Sequence, residues 1–171
     1  MTALVDASSA IILYKANLHL IVCEMYNVVI STSVYDEITG NSYPGAKAYQ
    51  QLAADQKVTV QKPCLAALCK PGLSILYTLD KGERDILQLY YAGNGDFVIT
   101  DDGATARYCK REQIRFINAL LIPTIIRCTG RKSDVYCHTA FNKVMSIGRY
   151  SRWVINFAEK CQKEELSFFL P

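Results

Sequence analysis

The chain has 171 residues, half of them hydrophobic, with 19 Lys and Arg against 16 Asp and Glu for a net charge of +3. That length supports one globular domain with a sizeable core. No apolar run approaches the ~20 residues that span a bilayer, and the opening MTALVDASSAIILYK places an acid before its apolar run with no basic leader, so a cytoplasmic protein without a membrane partner is expected. The charge is uneven. Residues 1–122 carry 11 Lys and Arg against 12 Asp and Glu, whereas residues 123–171 carry 8 against 4. An acidic site beside a basic tail suits a polyanionic substrate held near a cation, although charge alone fits a solvated helical face better.

In chain order, Ala3-Leu4-Val5 reads as a short strand ending at Asp6, with Ser8 or Ser9 capping a helix through Lys15. Val28-Val29-Ile30 reads as a second strand, and Ser31-Thr32-Ser33 opens a helix that carries Asp36, Glu37 and Ile38. A turn over Gly40–Gly45, a helix over Ala46–Ala54 and a third strand, Lys57–Val60, follow. After an irregular link over Pro63–Gly72 come a helix from Gly82 to about Tyr91, a strand at FVIT (97–100), a helix over Gly103–Arg111 and a fifth strand at Arg115–Ile117. Alternation of strand and helix predicts an α/β fold with a parallel sheet of about five strands and helices on both faces. Beyond Pro123 the pattern turns helical, from Ser133 to about Met145 and from Tyr150 to Lys160. The expected organisation is a unit over 1–122 and a helical C-terminal extension over 123–171 packed on the same domain.

The seven cysteines are odd in number and scattered, and no CxxC occurs. Reduced, mostly buried thiols are therefore expected, in preference to structural zinc.

Carboxylates carry the functional reading. In FVITDDGA a core strand runs into Asp101 and Asp102, an arrangement that is costly without a cation, a hydrogen-bond cage or a helix N-terminus to compensate it. Asp6 ends the first strand, Glu37 lies in the first turns after the second, and Glu83 and Asp85 lie near the start of LDKGERDIL. In a parallel sheet these acids emerge at one edge, where ligands bind. Each also has a simpler structural reading: Asp6 and Asp102 as helix caps, Glu37 and Glu83 as first-turn acids favoured by the helix dipole. Together they argue for more than capping, and a hard dication, Mg²⁺ or Mn²⁺, is the natural compensation. Asp36 and Asp80 read as surface acids.

The pieces LVDASSAIILYK, VYDEI, LDKGERDILQL and VITDDGATARYCK, in this order over Ala3–Pro123, make the chain resemble the PIN-domain nucleases, the VapC-like toxin ribonucleases especially. The resemblance implies a three-layer PIN-like fold and a Mg²⁺- or Mn²⁺-dependent endoribonuclease that hydrolyses RNA phosphodiesters. Asp6, Glu37, Asp85 and Asp102 would be the catalytic, metal-holding acids. Asp85 is preferred to Glu83 because the apolar stripe Ile86-Leu87-Leu89 follows it directly; Asp102 is preferred to Asp101 because it completes Thr, any residue, Asp. Asp101 would be a further metal ligand, would support the acids from behind or would replace Asp102, and Glu83 would support them from behind or replace Asp85. Ser8 and Thr100 match hydroxyl positions that orient an acid or a water. The tail beyond Pro123 is not explained by the resemblance, which also implies a small antitoxin partner and a homodimer as possible assemblies.

Lys81, Arg84, Arg107, Lys110 and Arg111 are the expected substrate-binding cations, with Arg127, Arg131, Lys132, Arg149 and Arg152 as an extended grip and Tyr14, Tyr35 or Tyr150 as base-stacking candidates. The alternative is a non-catalytic PIN-like module that binds RNA or protein. A phosphatase with an Asp nucleophile fails at Ser8, where a second Asp is needed. No GxGxxG, GxxxxGK[ST] or GxSxG occurs, and His19 and His138 lie outside the acid cluster.

Overall fold

Ala3-Leu4-Val5 and Phe97-Val98-Ile99 are apolar at every position, the composition of strands covered on both faces. They lie side by side at the centre of the sheet, in register from Ala3 with Phe97 to Val5 with Ile99, and none of the six is more than 2% exposed. The structure, a computed structural model, describes residues 1–40, 43–63 and 79–171. Its strands β1 (Thr2–Val5), β2 (Asn27–Ser31), β3 (Val58–Gln61), β4 (Phe97–Ile99) and β5 (Phe116–Ile117) form one sheet in the order β3-β2-β1-β4-β5, each neighbouring pair parallel.

Around it lie α1 (Ala7–Lys15), α2 (His19–Met25), α3 (Thr32–Thr39), α4 (Ala46–Ala54), α5 (Lys81–Tyr91), α6 (Gly103–Arg111), α7 (Ile122–Cys128), α8 (Asp134–Ile147) and α9 (Arg152–Lys160). This is the three-layer α/β arrangement that the alternating pattern predicts. The chain winds outward from β1 through β2 to β3, then returns to place β4 on the other side of β1. The order therefore reverses between β1 and β4, and the crevice beyond their C-terminal ends is where open α/β sheets bind ligands.

Several local features differ from the sequence reading. Of the two capping readings for α1, Ser8 or Ser9 and Asp6, the structure has Asp6, whose carboxylate accepts from the Ser9 amide; Ser8 and Ser9 already lie inside the first turn of the helix. Helix α2 has no side-chain cap, so local signals do not announce it, and burial of Ile21, Val22 and Met25 holds it in place. Helix α7 begins at Ile122, beside the expected boundary, and buries Ile122, Ile125 and Ile126 completely. With apolar residues on every side it shows no amphipathic period.

The chain beyond α7 folds back on the sheet. The Thr124 hydroxyl donates to the Ala158 carbonyl, tying α7 to α9, and Tyr26 Oη donates to the Phe169 carbonyl at 2.6 Å. The Phe169 ring packs edge-on against Phe97 at 5.3 Å. Cys23, Cys109, Cys128, Cys137 and Cys161 are free. Cys64, Cys69 and most of the link expected over Pro63–Gly72 lie outside the described residues, as does part of the turn after Gly40.

Candidate functional site

At the reversal point, Asp6 follows β1 directly and its amide donates to Ile99 O of β4 at 3.1 Å. The next residue of that neighbouring strand is Thr100, whose hydroxyl donates to Asp6 Oδ2, while Asp6 Oδ1 accepts from the Ser9 amide at 2.7 Å and the Ser8 hydroxyl at 2.9 Å. Both hydroxyl positions singled out in the sequence therefore touch Asp6. The carboxylate is 2% exposed, and burial raises its pKa to about 6, against the lowering effect of Thr100 and Ser9 and with the Asp101 charge adding to the rise.

Asp102 caps α6, its Oδ1 accepting from the amides of Ala104 and Thr105 at 2.7 Å each. Burial acts to raise its pKa, but those amides and a hydrogen bond from Glu83 outweigh burial and hold it below the ordinary value. Glu83 moves the other way, to about 7, through burial and then the Asp102 charge. Glu83 is also the third residue of α5 and accepts from the Asp80 amide at 3.2 Å, completing a capping box with Asp80. The end of β4 and the start of α5 thus deliver two acids to one point by ordinary helix-capping geometry.

Asp6, Ser8, Glu37, Asp80, Glu83 and Asp102 line one pocket of about 120 Å³. Glu37 lies close to the start of α5: a Cβ on Gly82 would be in ordinary contact with Glu37 Oε2, at 3.6 Å. Asp85 is not among the lining residues; its Oδ2 accepts from Ser33 Oγ at 2.6 Å, on the buried side of α5 against α3. Of the two acids weighed on this helix, Glu83 is the one that faces the pocket. Asp80, read as a surface acid, is exposed and at the rim.

Asp101 turns away from its neighbour. Its Oδ2 accepts from Ser9 Oγ at 2.7 Å and the Ala119 amide at 3.1 Å, and its Oδ1 from Tyr150 Oη at 2.5 Å. Burial raises its pKa, and these three partners act to lower it. Ser9, Ser33 and Ala119 carry no motif that would have marked them, because their roles depend on packing between distant elements.

The pocket's polar side chains offer only oxygen ligands, the set a hard dication takes, and burial together with the Asp102 charge raises Glu83 beside it. Among the described residues, no three His, Cys, Asp or Glu side chains already stand close enough together to hold a metal ion.

The cations are distributed unequally. Arg107 and Lys110 line a groove of about 380 Å³ next to the pocket, together with Arg149, Trp153 and Phe157 of the C-terminal extension, and Asp102 lines both cavities. Arg111 pairs with Glu112 at 2.7 Å and lies over the Tyr108 ring at 5.0 Å. Lys81 is exposed at the start of α5 and Arg84 half-buried on it, and neither lines the pocket. Nothing in the sequence marks Trp153 and Phe157 as groove residues. Their apolar character on an amphipathic helix is the ordinary sign of a core face, and only their exposure distinguishes them.

Among the described residues no helix is long and apolar enough to cross a membrane. No curated protein and no solved structure matches the chain. A family model, DUF3368, a PIN domain, matches residues 2–135, from β1 into the start of α8. The chain belongs to the PIN-domain family.

Proposed function

We propose that the protein is a metal-dependent endoribonuclease and that Asp6, Glu37, Glu83 and Asp102 are its working acids. PIN domains are nucleases in general, and they generally use divalent metal ions. The observation that most supports the reading is the convergence of these four acids on one small pocket at the reversal point of the sheet. A hard dication among them would offset the burial that pushes Asp6 and Glu83 upward.

A Mg²⁺ or Mn²⁺ ion held by Asp6, Glu83 and Asp102 would supply positive charge at the scissile phosphate and make the attacking water more acidic. The chain's own groups supply the rest. Thr100, Ser8 and the Ser9 amide fix Asp6 from behind, so that its carboxylate does not reorganise when substrate arrives. The α6 amides do the same for Asp102. Glu37, exposed at the pocket wall, is placed to accept the proton of the attacking water. Asp85, held by Ser33, fixes α5 against α3 and thereby aims Glu83. Toxin action is the biological extension of the same proposal.

The test uses the full chain and a labelled single-stranded RNA. Cleavage is expected with Mn²⁺ or Mg²⁺, to cease on chelation, and to be lost in Asp6→Asn with the circular-dichroism spectrum unchanged. RNA that stays intact with either ion, or cleavage undiminished in Asp6→Asn, would refute the proposal and leave a PIN-like binding module.

A further inference from the structure

We infer that the groove between α6 and α9 is a stacking subsite for an unpaired base of an RNA strand that runs on into the acid pocket. This rests on the nuclease reading above and adds a residue-level specificity element from the C-terminal extension.

The two cavities adjoin at Asp102, which lines both. Trp153 is 72% exposed, although Trp is highly buried on average. It lies nearly parallel to Phe157, with 9° between the ring planes and 5.8 Å between centroids. The pair forms a flat platform on the groove wall, and base–aromatic stacking is tolerant of sequence because every base presents a π-face.

Charge selects the occupant. Arg107, Lys110 and Arg149 share the groove with Asp101 and Asp102, but among the described residues none of the three is salt-bridged to a carboxylate, and Asp101 is engaged by Ser9, the Ala119 amide and Tyr150 instead. Three free cations beside two aromatic rings suit a strand with phosphates on one side and flat bases on the other. A second copy of the chain would bring its own cations against these. The platform is also held ready: Tyr150 Oη on Asp101 fastens the segment just before α9 to the end of β4, so little ordering is required on binding.

Trp153 is the only tryptophan of the chain, so its fluorescence reports on the groove directly. Full-length protein is titrated with a short fluorescein-labelled oligouridylate while EDTA prevents cleavage. Quenching of the tryptophan should saturate with the same midpoint as anisotropy of the label. Trp153→Ala should weaken binding about tenfold, and the Arg107→Ala, Lys110→Ala, Arg149→Ala triple variant should flatten its salt dependence. Because these side chains lie at the surface, loss of folding does not confuse the result. Quenching by RNA with no cleavage under Mn²⁺ would uphold the groove and remove the nuclease reading. Cleavage with no quenching, undiminished in Trp153→Ala, would uphold the nuclease and overturn the groove. A concentration-dependent blue shift without RNA, with a doubled mass in solution, would assign this face to a second copy and overturn it too.

Discussion

Asp101 and Asp102 are adjacent in sequence, leave the same central strand and meet opposite surroundings. Asp101 points into a node where a serine of α1, the Ala119 amide and a tail tyrosine each donate to it. Asp102 points into an acid pocket where its nearest counterpart is another carboxyl. In the node, donors from three different elements meet both oxygens of the carboxylate, which ties those elements together. In the pocket, the α6 amides meet one oxygen of Asp102, and the other side chains around it are largely acids. Burial and donors are common to both regions, and the difference lies in what the rest of the carboxylate faces. Where it faces donors from distant elements, the acid holds the fold together; where it faces other acids, it is available for a ligand.

The largest expected effect separates the two. Asp102→Asn should reduce RNA cleavage by at least about 10²-fold, the scale of losing one oriented group that acts on the reacting charge. Asp101→Asn should leave cleavage by the folded fraction within about tenfold of wild type. Initial rates on a labelled RNA, normalised to folded protein by circular dichroism, check both. Equal losses in the two variants would break the comparison.

Stability should reverse the ranking. Asp101→Ala leaves the Ser9 hydroxyl, the Ala119 amide and Tyr150 Oη without their acceptor, and hydrogen bonds to a charged group contribute about 1.5–3 kcal/mol. With partial rearrangement, a loss of about 3 kcal/mol is expected, or a fall in melting temperature of roughly 6–12 °C for a chain of this size. Tyr150→Phe removes one of the three donors and should cost about 1–2 kcal/mol. Asp102→Ala removes a helix cap, for about 1 kcal/mol, and also relieves Glu83. Its melting temperature should lie well above that of Asp101→Ala.

This division was only partly legible in the sequence. The all-apolar runs of β1 and β4 reveal a buried parallel core, and the acids that follow them, Asp6 and the pair Asp101-Asp102, come out at one edge whatever the details of the helices, while the preference for Asp102 within the pair comes from the resemblance. The assignment on α5 is less secure at sequence level, because Glu83 and Asp85 differ by two positions and only the orientation of the helix decides between them. That orientation comes from the capping box at Asp80 and from the Ser33 bond to Asp85, and the second of these joins elements 52 residues apart. The role of the tail is hidden for the same reason: nothing near Tyr150 announces Asp101 as its partner. Helices α2 and α7 escape notice because tertiary burial, rather than caps or period, sustains them.

A smaller effect follows from proton binding. In the folded chain Asp6 titrates near 6 and Glu83 near 7, both above ordinary carboxyls, so the native state binds these protons more tightly than the unfolded state. Their contribution to stability is complete below about pH 4 and declines as pH rises through 6 and 7. Without divalent ions, unfolding free energy should fall by about 1–2 kcal/mol between pH 5 and pH 8, after allowing for solvent screening of half-buried Glu83. Glu83→Gln should flatten part of that slope. Added Mn²⁺ should raise the melting temperature more at pH 8 than at pH 5, because it competes with the protons for the same oxygens. Differential scanning calorimetry at the two pH values measures all three, and a flat profile for the wild-type chain would show that the pocket acids are not crowded.

The smallest effect probes the node from a residue that carries no functional group. Gly148 follows α8 with φ −83°, a conformation open to any residue, so Gly148→Ala introduces no backbone strain. A Cβ at that position would, however, lie 2.4 Å from Tyr150 Cε2 and 2.7 Å from its Oη. The ring must swing away, and its bond to Asp101 goes with it. Gly148→Ala should therefore cost about 1 kcal/mol, towards the lower end of overpacking penalties because the obstructing atoms end a side chain. In a Tyr150→Ala background the same substitution should be neutral, and the coupling of the pair, read by urea denaturation, isolates the contact. Additive losses would mean that the glycine serves α8 rather than Tyr150, and that the tail is fastened to Asp101 less firmly than its short hydrogen bond implies.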